Sequence, residues 1–105
     1  MFTTKTSITP QEAHKLMQSG DPYILLDVRT PSEFHEAHIE GAKLIPLDDL
    51  GVRLNELPDR NALILVYCRS GMRASNAVKL LSGKGYTNVF NFGGIMDWPY
   101  ETVRG

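Results

Sequence analysis

The residues best suited to chemistry lie between Cys68 and Arg73. Cys68 is the single cysteine of the chain. It ends the apolar run Leu63-Ile64-Leu65-Val66-Tyr67, and Arg69-Ser70-Gly71-Met72-Arg73 follows before a helical stretch begins. If the backbone curls around the sulfur, the N–H groups of residues 69 to 73 converge on it as a nest. The start of the next helix adds partial positive charge. Gly71 lets the turn adopt a positive φ without steric penalty. Ser70 adds a hydroxyl donor, and Arg69 and Arg73 add two guanidiniums. Each feature favours thiolate over thiol, and the thiolate is the nucleophile. A lone cysteine is ordinarily a small core hydrophobe. Arg69, Ser70 and Arg73 are poor neighbours for an apolar pocket, so the reactive reading is preferred.

A cysteine, a nest and an arginine also suit a phosphatase or an arsenate reductase. Loop size decides between these chemistries. Four residues separate Cys68 from Arg73. Cysteine-dependent phosphatases place their arginine one residue further on, around a tetrahedral phosphate. The tighter ring is a smaller cup, better matched to one extra sulfur atom than to a phosphoryl group.

The elements that must position this loop alternate between extended and helical. Five strands are expected: one ending at Ile8, then Tyr23 to Val28, Lys43 to Ile45, Leu63 to Tyr67, and Asn88 to Asn91. Thr9-Pro10-Gln11-Glu12 and Thr30-Pro31-Ser32-Glu33 each combine an N-cap, an early proline and a capping-box acid, so each should start a helix. Leu47, Leu50, Leu54 and Leu57 fall on one face of a further helix ending near Pro58. Residues 72 to 82 form the helix after the cysteine loop, and Gly93-Gly94 leads to a last helical segment around Met96 and Trp98. Such alternation specifies an α/β fold, a mostly parallel sheet with helices on both faces. Its binding crevice lies at the carboxyl ends of the strands. Asp27-Val28-Arg29, Cys68 to Arg73, and Phe92-Gly93-Gly94 all fall there.

With 105 residues and 42% apolar content, the chain should form one domain over residues 1–105. A net charge of −1 gives no bulk field for nucleic acid or an acidic membrane. No apolar run approaches the roughly 20 residues that span a bilayer. Residues Met1 to Lys5 lack the apolar stretch of a secretory leader. One cysteine forms no internal disulfide, which fits a reducing compartment. The expected setting is therefore cytoplasmic.

Other residues carry weaker signals. Asp27 and Arg29 are read as pairing with each other or with Glu33, with Arg29 the better placed to touch a ligand. His35 and His38 are three apart, one short of the spacing in a zinc-binding helix, and no third ligand is evident, so no metal is expected. His38 is read as a structural hydrogen-bonder and His14 as an exposed helix residue. Gly93 and Gly94 are read as a pocket wall or a simple turn, and Trp98 as core or pocket rim.

The chain resembles the single-domain rhodaneses, small sulfurtransferases, over nearly its whole length. The resemblance is carried by Leu26-Asp27-Val28-Arg29 with Glu33-Phe34, and by His38-Ile39-Glu40-Gly41-Ala42 ahead of Ile45-Pro46. Tyr67-Cys68-Arg69-Ser70-Gly71-Met72-Arg73-Ala74, Gly85-Tyr86, Phe92-Gly93-Gly94-Ile95 and Trp98 complete it. Ala37 departs from the pattern, which commonly has glycine before the histidine. The resemblance implies a three-layer fold around a five-stranded sheet, and a persulfide cycle on Cys68. An anionic donor such as thiosulfate loads the sulfur, and cyanide or a thiol removes it. Arg69, Ser70, Gly71, Met72, Arg73 and Arg29 would bind substrate. Asp27, Glu33, Gly93, Gly94 and Trp98 would shape the pocket. The basic loop favours thiosulfate over mercaptopyruvate. No cofactor is implied. A protein donor or acceptor is the alternative partner, with the domain acting as a persulfide carrier.

Overall fold

Two proline-led capping boxes start the first two helices. Thr9 accepts the N–H of Glu12 at 3.0 Å, and the Glu12 carboxylate accepts the N–H of Thr9 at 2.9 Å, which opens α1 (Pro10–Met17). Thr30 and Glu33 make the same reciprocal pair ahead of α2 (Pro31–Glu36). Proline at the first helical position lacks only an N–H that would have had no partner. The computed structural model describes residues 5–105. The leader reading at residues 1 to 4 lies outside them.

Four strands form one parallel sheet: β1 (Ile24–Asp27), β2 (Lys43–Leu44), β3 (Ile64–Cys68) and β4 (Val89–Gly94), in the order β2-β1-β3-β4. Among the described residues the expected five-stranded sheet is thus corrected to four strands. The segment at Ile8 contributes one isolated bridge, Ser7 with Asn91. The cap at Thr9 follows two residues later, so helix initiation leaves no length for a ladder. The leucine-rich stretch is also discontinuous. It divides into α3 (Leu47–Leu50) and a 3-10 turn (Leu54–Glu56), with Gly51 closing α3. Glycine inside a helix costs about 1 kcal/mol relative to alanine, which favours the break there. The leucines still bury as their spacing requires: Leu50 and Leu57 are fully enclosed.

Side chains alternate across a strand, so each strand serves two cores. Leu26, Ile64, Val66 and Cys68 join Leu50 and Leu57 and the buried face of α4 (Met72–Gly83). Leu25, Leu65, Tyr67 and Phe92 join Ala13 of α1 and Trp98 on the other side. β3 is buried along its whole length. Cys68 has the parity of Ile64 and Val66, and this parity sends its sulfur to the α4 face. Among the described residues no helix is long and apolar enough to cross a membrane.

Candidate active site

Cys68 is the last residue of β3 and only 1% exposed. Its Sγ accepts the N–H of Gly71 at 3.0 Å and the N–H of Ala74 at 3.4 Å. The expected nest of donors from residues 69 to 73 is therefore narrower. One donor comes from the loop, and the second lies one residue beyond it, in the first turn of α4. Gly71 sets this geometry. It has φ +104° at the N-cap of α4, so the chain reverses through one left-handed residue and brings the helix start over the sulfur. Apolar side chains enclose the cysteine on its core side, and main-chain donors cover the other.

The loop is pinned from the β4 side. A Cβ at Gly94 would run into the carbonyl of Arg69, and a Cβ at Gly71 would come within 3.3 Å of Gly93 Cα. Met96 donates its N–H to the Arg69 carbonyl at 3.3 Å. Asn91 Nδ2 donates to the Gly71 carbonyl at 3.1 Å, while its Oδ1 accepts the N–H of Gly93 at 2.8 Å. The backbone approaching Gly94 is that of the cysteine loop itself.

Arg73 is committed elsewhere. Its two terminal nitrogens donate to the two Glu33 oxygens at 2.7 and 2.8 Å, a bidentate pair joining α4 to α2. Arg73, expected to bind substrate, is thus already paired with a carboxylate in this structure. The Arg73 guanidinium, with help from Thr30, holds the Glu33 carboxyl at about 2 against burial. Arg73 in turn is raised, chiefly by its bond to Glu33.

Arg29 and Asp27 are buried together. Arg29 Nε and Nη2 donate to the Asp27 carboxylate, Nη2 at 2.6 Å, and Nη2 also donates to the Ala37 carbonyl at 2.7 Å. Arg29 pairs with Asp27 rather than with Glu33. Beside them the Tyr67 hydroxyl accepts the N–H of Ile39 at 3.1 Å. Together these contacts fix the chain from Ala37 to Ile39 against the strand ends.

Arg69, Ser70 and Met72 are exposed on the loop, Met72 by 76%. Trp98 is 8% exposed and packs on Phe92 and Tyr100. His38 stacks on Phe34 and meets its carbonyl at 2.9 Å. His14, expected to be exposed, is half-buried and stacks on Tyr100 at 3.7 Å. Sequence reading missed the Ala74 donor, the Arg73–Glu33 pair and Asn91. Asn91 left a signal: asparagine two residues before a glycine favours a turn closed by its own side chain.

A family model described as a rhodanese-like domain matches residues 9–100. The thiosulfate sulfurtransferase PspE of Escherichia coli strain K12 is 38% identical over 81 residues, covering 76% of this chain and 78% of the relative. A sulfurtransferase of Allochromatium vinosum is 39% identical over 93 residues, 87% of this chain and 85% of its own. Among solved structures, a rhodanese-like domain protein from Staphylococcus aureus superposes with a TM-score of 0.86 at 31% identity. It covers 97% of this chain and 99% of that one.

Two substitutions test the pinning. Gly94→Ala forces the Arg69 carbonyl to move and should cost about 1–3 kcal/mol in urea unfolding. Gly83→Ala, with open space around its Cβ, should be neutral or slightly stabilising. Glu33→Gln keeps a capping-box side chain but removes the charge. The Glu33 carboxyl sits at about 2 in the fold against 4.5 ordinarily. Its stabilisation is thus complete above about 4.5 and fades as pH falls towards about 2. The pair is partly solvated, so Glu33→Gln should lose about 1 kcal/mol at neutral pH. That deficit should shrink in unfolding curves taken near pH 3.

Proposed function

The chain belongs to the rhodanese-like domain family, and on that premise we propose that it is a sulfurtransferase carrying sulfane sulfur as a persulfide on Cys68. One observation carries the reading: Sγ ends a parallel strand and accepts main-chain N–H groups from Gly71 and Ala74. The Cys68 thiolate attacks the outer sulfur of thiosulfate. The S–S bond of the donor breaks, sulfite departs with the electron pair, and Cys68 holds S–S⁻. Cyanide or a thiolate then attacks the outer sulfur and restores the Cys68 thiolate. The two amides are fixed dipoles that need not reorient as charge moves between sulfurs. A thiolate nucleophile needs no general base.

Arg69 is the exposed cation of the loop and attracts the dianionic donor. Ser70, Gly71 and Met72 form the rim the donor crosses. Arg73, neutralised by Glu33, acts by holding the helix start in place. Asp27, Arg29 and Trp98 fix the surrounding walls.

A second reading is favoured by a separate observation. Met72 and Met96 stand 76% and 66% exposed, Met72 on the loop and Met96 bonded to it through its N–H. Exposed methionines suit an adaptable protein contact, so the domain would be a carrier loaded by a partner protein.

Thiocyanate formation from thiosulfate and cyanide decides between them. Rapid turnover, abolished in Cys68→Ala, supports the enzyme. Persulfide on Cys68 that forms only with a partner desulfurase supports the carrier. Turnover undiminished in Cys68→Ala would defeat both.

A further inference from the structure

Asn91, half-buried on β4, reaches the cysteine loop from outside it. Among the described residues, only its side chain and that of Cys68 are hydrogen-bonded to the main chain of residues 69–72. The Asn91 amide works in both directions. Nδ2 donates to the Gly71 carbonyl at 3.1 Å, and Oδ1 accepts the Gly93 N–H at 2.8 Å. Those two glycines are the freest points on either side of the contact. Gly71 has φ +104° and Gly93 φ +102°, conformations that glycine permits but does not enforce. The Asn91 main chain is itself held. Its N–H donates to the Thr6 carbonyl at 2.8 Å, and its carbonyl accepts the Ile8 N–H at 3.0 Å. The side chain thus ties two conformationally free glycines to a fixed strand.

The point that is held matters for the chemistry. Gly71 presents its N–H to Sγ and its carbonyl to Asn91. These groups lie on successive peptides joined through the Gly71 Cα. The Ser75 N–H also meets that carbonyl, at 2.9 Å, but Ser75 belongs to the same turn of α4. Asn91 references the carbonyl to the sheet that carries Cys68. An amide suits both partners, because it donates to one and accepts from the other. A carboxylate of the same shape would offer only acceptors and would face the Gly71 carbonyl with like charge.

We propose that Asn91 is a positioning residue for sulfur transfer: by fixing the Gly71 carbonyl it keeps the Gly71 N–H aimed at Sγ. The proposal deepens the sulfurtransferase reading and rests on it for its chemistry. As cyanide takes the outer sulfur of the persulfide, the bond between the two sulfurs breaks. Its electron pair returns to Sγ, and thiocyanate leaves. A donor already aimed at Sγ meets that charge without reorienting.

Asn91→Asp keeps the volume and the acceptor for Gly93 but loses the donor to Gly71. Loaded with sulfur and mixed with cyanide in a single turnover, it should transfer about tenfold more slowly than the wild type. In the unloaded variant the Gly71 amide proton should move upfield, as a weakened hydrogen bond does, with Ala74 shifting less. Asn91→Ser can still close the turn at Gly93 but is too short to reach Gly71, so it should behave alike if Asn91→Asp destabilises the fold. Tyr86→Phe removes a buried bond to the Leu57 carbonyl. It should lower the urea midpoint and leave the transfer rate unchanged, which separates positioning from lost stability. A wild-type transfer rate in the Asn91 variants, an unmoved Gly71 amide, or equal slowing in Tyr86→Phe would overturn the role of Asn91 and leave the sulfurtransferase reading intact. Failure of wild-type Cys68 to take up sulfur would instead strike that reading, and the role of Asn91 with it.

Discussion

The Cys68 sulfur lies almost wholly out of water and faces two main-chain N–H groups, which would make a negative charge there tenable on the proposed reading. Burying an uncompensated anion is strongly unfavourable. Hydrogen bonds to a charged group contribute about 1.5–3 kcal/mol each, so Gly71 and Ala74 together offset much of the cost. Their placement depends on the rest of the site. The parity of β3 points Cys68 towards α4. The positive φ of Gly71 swings the helix start over Sγ. Gly94, without a Cβ, admits the Arg69 carbonyl. Glu33, forty residues from Arg73 in sequence, clamps the first turn of α4 through that arginine.

This arrangement shapes how the site would react. With Cys68 only 1% exposed, bulky reagents meet the outer sulfur of a persulfide more readily than Sγ itself. On the proposed reading the amides would stabilise the carrier sulfur, and the exposed rim would select what approaches. Arg73 has the residue type of an anion ligand but the contacts of a tether. A phosphatase-like use of that arginine would require the Glu33 pair to open first.

Features set by neighbours in sequence were legible in advance. Both capping boxes, the buried β3 run ending at Cys68 and the turn at Gly71 follow from local stereochemistry, and the structure contains each of them. The features that escaped depend on distant partners or on competition. The strand at Ile8 was reduced to one bridge because the Thr9 cap starts too soon after it. The helix expected from Leu47 to Leu57 broke at Gly51, although its leucines kept their burial. The partner of Arg73 could not be read from the loop, because Glu33 sits on another helix. The sulfur donors shifted from a five-residue nest to Gly71 and Ala74, since the exact path of a turn is set by what it packs against, here the Gly93-Gly94 backbone.

The most direct test is to follow the backbone amide resonances of residues 69 to 74 by NMR while thiosulfate loads Cys68. Mass spectrometry of the same sample would verify one added sulfur. Gly71 and Ala74 should show the largest shifts, because their protons face the sulfur whose charge is redistributed. If Cys68 gains sulfur while those two resonances stay still and the other loop amides respond, the account of the cradle is wrong.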